Sequence, residues 1–266
     1  MGRLLTDIRE LLAEQVHYRE LLLRLTGRDV KVRYKQSLLG FGWAIFMPVF
    51  NTVLFSVIFT RVAPLPTGPI PYPVYAYTGL MFWNAFATAV KAASVSLSGN
   101  ATFVTKIYFP REILPFSIIL GSLVDLAISA TILVGLMIYY GIAPAATVLL
   151  VPAVLVVQVA FTAAVSLAVS MANLYLRDVK YIFEVVVNLW MFATSVVYPV
   201  EAVGGKLGAI MQWNPMTPII GAYRQTILEG RLPDERLVLV ALLTLVFLAV
   251  AWVGFHRAEF KFAEYV

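Results

Sequence analysis

Arg28-Asp29-Val30-Lys31-Val32-Arg33-Tyr34-Lys35-Gln36-Ser37-Leu38-Leu39-Gly40-Phe41-Gly42-Trp43 sets a block of cations directly against a long apolar run. Lys and Arg beside a hydrocarbon-spanning helix stay on the cytoplasmic side, because carrying them across the low-dielectric core is costly. The stretch therefore marks a membrane boundary and its sign: a cytoplasmic N-terminus, then a first span at about 38–60 running outward. Beyond it, the composition is that of a polytopic membrane protein. Hydrophobic residues make up 61% of the 266 and charged residues 13%, with a mean hydropathy of +0.84, far outside the globular range.

An apolar helix of about 20 residues crosses the ~30 Å hydrocarbon core while satisfying its own backbone polar groups. Six segments fit that description, at about 38–60, 74–96, 113–140, 147–176, 182–199 and 237–255. An even number returns the C-terminus to the cytoplasm. The cations agree: eight precede the first span, Lys106 and Arg111 lie between spans two and three, Arg177 and Lys180 between four and five, and Arg257 and Lys261 follow six. The outer loops hold Arg61, Lys206, Arg224, Arg231 and Arg236. No small-residue cleavage site accompanies the first apolar run, so no removable signal peptide is expected. The lack of cysteine excludes disulfides, thiol catalysis and thiolate metal sites. The expected fold is all-α, a single membrane domain over 1–266, with 1–37 a cytoplasmic helix and basic boundary and 38–266 a six-helix domain.

Within 4–25, Leu4, Ile8, Leu11 and Leu12 recur at helical spacing among Arg and Glu. Such a helix is expected in the interface plane, either as a plain anchor or with its polar face docked on a cytoplasmic partner. The first outer loop, 62–74, carries Pro64, Pro66, Pro69, Pro71 and Pro73 and should form a stiff cap. After span five, 203–212 and 215–228 are short and helical in character, separated by Trp213-Asn214-Pro215 and ended by Gly230. Each is too short to cross. The pair predicts a re-entrant hairpin at the outer surface, admissible only where protein covers its backbone.

Two spans carry polar stripes. In span four, Gln158, Thr162, Ser166, Ser170, Asn173 and Arg177 share one face; in span five, Glu184, Asn188, Met191, Ser195 and Tyr198 do the same. Such faces either join helices or line an aqueous path, and span five, ending beneath the hairpin, is read as a path. Lys91 and Asp125 are the ionisable residues well inside spans, and they form either a structural pair or a proton relay. Trp43, Phe46 and Phe50 make an aromatic stripe on span one, for helix packing or for stacking on sugar rings. Trp83 and Trp252 are expected in the interfacial belts. There is no phosphate-binding loop and no His-Glu-x-x-His, and the two histidines, His17 and His256, lie outside the spans. Haem ligation by paired membrane histidines is excluded, and any use of ATP must come from a partner.

Four motifs in order carry a resemblance: Gly27 to Gly40 leading to Trp43 and Pro48, Tyr108-Phe109-Pro110-Arg111-Glu112-Ile113-Leu114-Pro115, Asn173-Leu174-Tyr175-Leu176-Arg177-Asp178-Val179-Lys180-Tyr181, and Asn214-Pro215-Met216-Thr217-Pro218. Together the chain resembles the permease subunits of ABC-2 type polysaccharide exporters. The resemblance implies a homodimer in the bacterial cytoplasmic (inner) membrane, both termini cytoplasmic, working with two copies of a separate ATPase that binds ATP and Mg. It implies a polyprenyl-lipid-linked glycan as cargo, O-antigen, capsule or teichoic acid, with no catalytic, cofactor or metal site in this chain and no nucleic-acid partner. Lys106, Ile107, Tyr108, Phe109, Pro110, Arg111 and Glu112 then form the ATPase-coupling segment, with the apolar trio as anchor and the charges as rim. Trp43, Phe46, Phe50, Asn188, Phe192, Ser195 and Tyr198 are the candidate glycan-channel lining. Trp213, Asn214, Pro215, Thr217 and Pro218 are the candidate outer gate. The alternatives are an ABC-2 exporter of a drug or small lipid and a proton-coupled secondary transporter.

Overall fold

The computed structural model describes residues 14–35, 42–62, 64, 68–106 and 108–265. Expectations placed on Leu4, Ile8, Leu11, Leu12, Ser37 to Gly40, Pro66 and Ile107 lie outside the described residues.

Every regular element among the described residues is helical. In chain order they are α1 (Arg19–Tyr34), α2 (Gly42–Val57), α3 (Tyr72–Ser94), α4 (Ala101–Lys106), α5 (Ile113–Tyr139), α6 (Val151–Tyr175), α7 (Val179–Phe192), α8 (Gly205–Gln212), α9 (Met216–Arg224), α10 (Arg236–Ala258) and α11 (Phe262–Tyr265). Pro73 sits in the first turn of α3, where a missing N–H costs nothing, so the helix starts inside the stretch read as a proline cap. Pro48 lies within α2 and removes one rung, and Thr52 Oγ1 donates to the Pro48 carbonyl at 2.8 Å. Gly230, at φ 66°, closes the turn Gln225–Glu229 in the left-handed region that excludes most side chains.

Four helical stretches are long and apolar enough to cross a membrane, Ile45–Val62, Ile113–Tyr139, Ala146–Tyr175 and Arg236–Lys261. A fifth crossing results if Tyr72–Ser94 and Ser98–Lys106, bent by 55°, act together. The expected fifth span is shorter than its apolar run. α7 has 14 residues, a rise of about 21 Å against the ~30 Å core. The chain leaves the helix at Ala193, and the Ser195 and Val196 carbonyls beyond it turn to the Arg224 guanidinium.

α3 is the hub, packed by α2, α5, α6, α7 and α9. Around it Tyr77, Phe82, Trp83, Phe86, Phe161 and Tyr223 form the main core. Phe82 and Tyr223 stack face to face at 3.3 Å, and Trp190 meets Phe86 edge-on at 5.4 Å. A second cluster, with Leu25, Leu97, Val104, Phe109, Ile113, Leu167, Phe255 and Phe262, ties α1, α4, α5, α6, α10 and α11 together at the other end. Lipid is as apolar as leucine, so dispersion and hydrogen bonding, more than the expulsion of water, hold such contacts. Trp83 is therefore in the core, not in an interfacial belt.

α1 also departs from expectation. The described helix extends through the basic motif to Tyr34 and packs lengthwise on α5, with Val30 against Gly121. Arg28, Asp29 and Arg33 are helix-face residues engaged with protein, so the motif is more than a boundary loop.

Candidate functional site

At the basic end of the bundle, α4 and the following loop present the segment read as a coupling element. Tyr108 is 79% exposed and Phe109 4%. Phe109 is packed beneath the loop in the second core cluster, so of the expected anchors the tyrosine is the ring on offer. Lys106 is exposed, Arg111 half-buried, and Pro110 buried. Glu112, at 0% exposure, is not a rim charge at all. Its Oε1 accepts a hydrogen bond from Trp252 Nε1 at 3.2 Å. Burial holds the Glu112 carboxyl above the usual carboxylate range, opposed in part by its hydrogen bonds. Arg111 locks the loop from both sides: its N–H donates to Glu259 Oε2 at 3.2 Å and its guanidinium to the Val104 carbonyl at 3.3 Å. The result is a loop fixed underneath with one ring standing out.

The basic motif supplies the next layer. Arg28 pairs with Asp29 at 2.7 Å, donates to Asn100 Oδ1 at 3.1 Å and lies over the Phe103 ring. Ser117 Oγ donates to Asp29 Oδ2 at 2.9 Å. Arg33 reaches further along α5 and forms an ion pair with Asp125. Lys91 does not reach Asp125; its Nζ donates to Asn188 Oδ1 on α7 at 2.7 Å. The motif thus fastens α1, through three charged residues, to α5 and to the loop before α4. Above the Arg33–Asp125 pair opens a cavity of ≈ 430 Å³, lined mainly by Trp43, Met47, Pro48, Met81, Asn84 and Thr88 beside the pair.

The seven residues read as a channel lining do not share one cavity within a chain. Trp43, Phe46 and Phe50 run along the exposed face of α2, Trp43 edge-on to Phe46 and Phe46 stacked on Phe50 at 5.9 Å. Of these, Trp43 alone lines the cavity. Asn188 and Phe192 are exposed on α7, Tyr198 is half-buried and Ser195 is buried. The cavity meets α3 at Met81, Asn84, Ala85 and Thr88, whereas α7 meets it through Trp190 on Trp83 and Phe86. At about 100° per residue Trp83 and Phe86 lie opposite the cavity, while Lys91, which holds Asn188, lies at the cavity's flank, seven residues on from Asn84. The α2 rings and the α7 residues therefore flank the hub from two sides.

At the hairpin end, α8 and α9 occupy the predicted positions around Trp213-Asn214-Pro215. Trp213 is 82% exposed, while Asn214, Pro215, Thr217 and Pro218 are half-buried. Asn214 is a junction: Oδ1 accepts from Trp190 Nε1 at 2.9 Å and from Met216 N–H at 3.1 Å, and Nδ2 donates to the Ala193 carbonyl and Thr194 Oγ1. Arg224, counted from sequence among the outer-loop cations, is 3% exposed. Its guanidinium donates to the Ser195 carbonyl at 2.6 Å, to the Val196 carbonyl and to Tyr75 Oη at 2.9 Å, and lies over the Tyr75 ring at 3.6 Å. Gly79 makes this possible, since a Cβ there would collide with the Val196 carbonyl oxygen and the Arg224 guanidinium. No sequence rule singled out Arg224; the glycine one helical turn after Tyr75 is the available signal.

The span-four stripe is buried. Gln158, Thr162, Ser166, Ser170 and Asn173 all face protein, Gln158 Nε2 donating to the Phe82 carbonyl at 2.8 Å and Asn173 Oδ1 accepting from Lys180 N–H at 3.0 Å. These five residues join helices, while Arg177, beyond the end of α6, is exposed.

Comparison with known proteins agrees with this architecture. Residues 20–228 match the family described as ABC-2 type transporter. The chain is similar to the O-antigen export system permease protein RfbA of Myxococcus xanthus, 32% identical over 96% of this chain and 98% of that protein. It is also similar to the protein of the same name from Klebsiella pneumoniae, 28% identical over 92% and 94%, and more distantly to the polysialic acid transport protein KpsM of Escherichia coli, 19% identical over 87% and 91%. With apolar helices long enough to cross a membrane and a family match over most of its length, the chain is a membrane protein and belongs to the ABC-2 type transporter family.

Proposed function

We propose that this chain is the permease subunit of an ATP-driven exporter that carries a polyprenyl-lipid-linked polysaccharide, O-antigen foremost, across the bacterial inner membrane. The names of its relatives support that class of cargo. In this reading a homodimer works with two copies of a separate ATPase, which binds ATP and Mg. Both termini are cytoplasmic, and six crossings are completed by α7 with the turns of 193–199 that follow it and by a re-entrant α8–α9 hairpin. The single observation that carries it is the loop at Tyr108: one exposed ring between Lys106 and Arg111, on a base immobilised by Phe109, Glu112 and Arg111. A rigid element with one projecting anchor transmits a push instead of absorbing it. The α2 rings and the α7 polar residues, on two sides of the hub, would meet as a tunnel across a seam between two copies. Aromatic and hydroxyl surfaces suit a long, ring-by-ring amphipathic cargo.

A second reading has one observation behind it. The ≈ 430 Å³ cavity is of the size that holds a small amphiphile, which favours a small-lipid exporter of the same family.

The test is to replace Tyr108 by Ala and, separately, Arg111 by Glu, then measure copurification with the ATPase and glycan export in the same membranes. Both should fall for each variant, and Tyr108→Ala, being a surface change, should leave thermal stability within about 0.5 kcal/mol. Phe109→Ala is the contrasting control, expected to lose about 3–5 kcal/mol of stability as a core cavity. Unchanged copurification and export in the first two variants would overturn the assignment.

A further inference from the structure

Glu14, Glu112 and His256 come from three separate parts of the chain, the helical turn before α1, the residue ahead of α5 and the last turn of α10. One ligand atom from each lies within 4.8 Å of the other two. Among the described residues, Glu14 Oε2, Glu112 Oε2 and His256 Nδ1 are each shut off from solvent with no hydrogen-bond partner. Two buried carboxylate oxygens and an imidazole nitrogen converging with no hydrogen-bond partner is an arrangement that disfavours itself, because desolvated carboxylates repel and their lone pairs go unsatisfied. A cation among them removes both costs. The donor set, two carboxylate oxygens and one imidazole nitrogen, is that of zinc or manganese and not of calcium or magnesium, which take oxygen ligands alone. Glu259 stands beside the same nitrogen, its Oε1 3.3 Å from His256 Nδ1, while its Oε2 is held by Arg111 N–H.

We propose that Glu14, Glu112 and His256 form a divalent transition-metal site, of zinc or manganese type, that clamps the N-terminal segment and the last turn of α10 to the base of the Tyr108 loop. The clamp does not depend on the cargo, and its test needs no transport assay.

The full chain, reconstituted in lipid nanodiscs and stripped with a chelator, is equilibrated with Zn²⁺ alone and, in parallel, Mn²⁺ alone. One of them should bind at about one ion per chain with an affinity of about 1 μM or better, and should raise Tm. Glu112→Gln and His256→Ala should abolish the stoichiometric ion. If Glu112→Gln fails to fold, Glu14→Gln and His256→Ala, both at half-buried positions, carry the same reading. The proposal is overturned if neither metal binds the native chain. It is equally overturned if binding survives His256→Ala together with Glu14→Gln, or if infrared spectra of the native chain show Glu112 protonated and unaltered by metal.

Discussion

The polar stripes of α6 and α7 read alike in the sequence and have opposite fates. On α6, Gln158, Thr162, Ser166, Ser170 and Asn173 are buried against neighbouring helices. On α7, Glu184 and Asn188 are exposed, as are Tyr181, Ile182, Val185, Val186, Leu189 and Phe192, and Val187 is the residue fully enclosed. Spacing tells which residues share a face. It does not tell whether that face has a protein neighbour, because this depends on how many helices surround the element. α6 is enclosed by α3, α5, α9 and α10, whereas α7 rests on α3 and α6 from one side. A stripe of small hydroxyls that allows close approach belongs to the first situation. A stripe mixing a charge, an amide and large aromatics around the whole circumference belongs to the second.

What holds α7 in place is concentrated at its end, and there the largest effect is expected. Arg224→Ala should lower stability by about 3 kcal/mol or more, because it strands the Ser195 and Val196 carbonyls and Tyr75 Oη in a buried site. Thermal melting in detergent and yield in membranes measure it. A change below about 1 kcal/mol would mean that α7 is held by something other than this buried tie, and the contrast between the helices would lose its basis.

A matched pair probes the stripes directly. Ser166→Leu on α6 should cost about 1–3 kcal/mol by overpacking a fully enclosed position, while Asn188→Leu on α7, an exposed position that loses only the Lys91 hydrogen bond, should cost about 1 kcal/mol or less. Similar losses at the two sites, read from the two melting curves, would show that α7 is as enclosed as α6.

On the cavity side of the hub, Asp125→Asn leaves Arg33 facing a neutral amide at a site where both side chains keep partial exposure. The loss should be about 1 kcal/mol, since screening weakens the pair and the amide still accepts a hydrogen bond. Export should largely persist. A fully assembled variant without export would point to a proton-linked step at Asp125 and revive the secondary-transporter reading.

These differences trace how far the sequence could be read. Span three at 113–140 and span four at 147–176 match α5 and α6 with their lead-in turn to within a residue or two, because apolar runs bounded by Pro and Gly state their own limits. The hairpin break at Trp213-Asn214-Pro215 was legible for the same reason. The helix of the fifth span ends before its apolar run does, because hydropathy stays high through Ser195–Val197 while the backbone there is turned to Arg224. Phe109 and Glu112 were read as presented to a partner, and Arg224 as a loop cation. Phe109 directly follows the exposed Tyr108, and at all three positions burial is decided by α10, α1 or α3 arriving from far away in sequence. The Arg33–Asp125 pair was missed because α1 was expected to end before the basic motif, which put Arg33 outside the reach of α5.

The smallest effect on stability is also the one that separates the functional readings. Phe192→Ala on α7 and Phe46→Ala or Phe50→Ala on α2 remove rings that are already about half exposed in a single chain, so each should change the melting of the chain by no more than about 0.5–1 kcal/mol. A core aromatic would cost several times that. Three outcomes then differ. If the rings face lipid, export and assembly both stay near native levels. If they pack one copy against another, assembly falls and export falls with it in proportion. If they line a tunnel, assembly persists while export drops, because each lost stacking surface weakens the hold on a passing sugar by about 1 kcal/mol. Complex yield and export measured in the same membranes distinguish these, and the tunnel reading of the α2 and α7 faces stands only on the third.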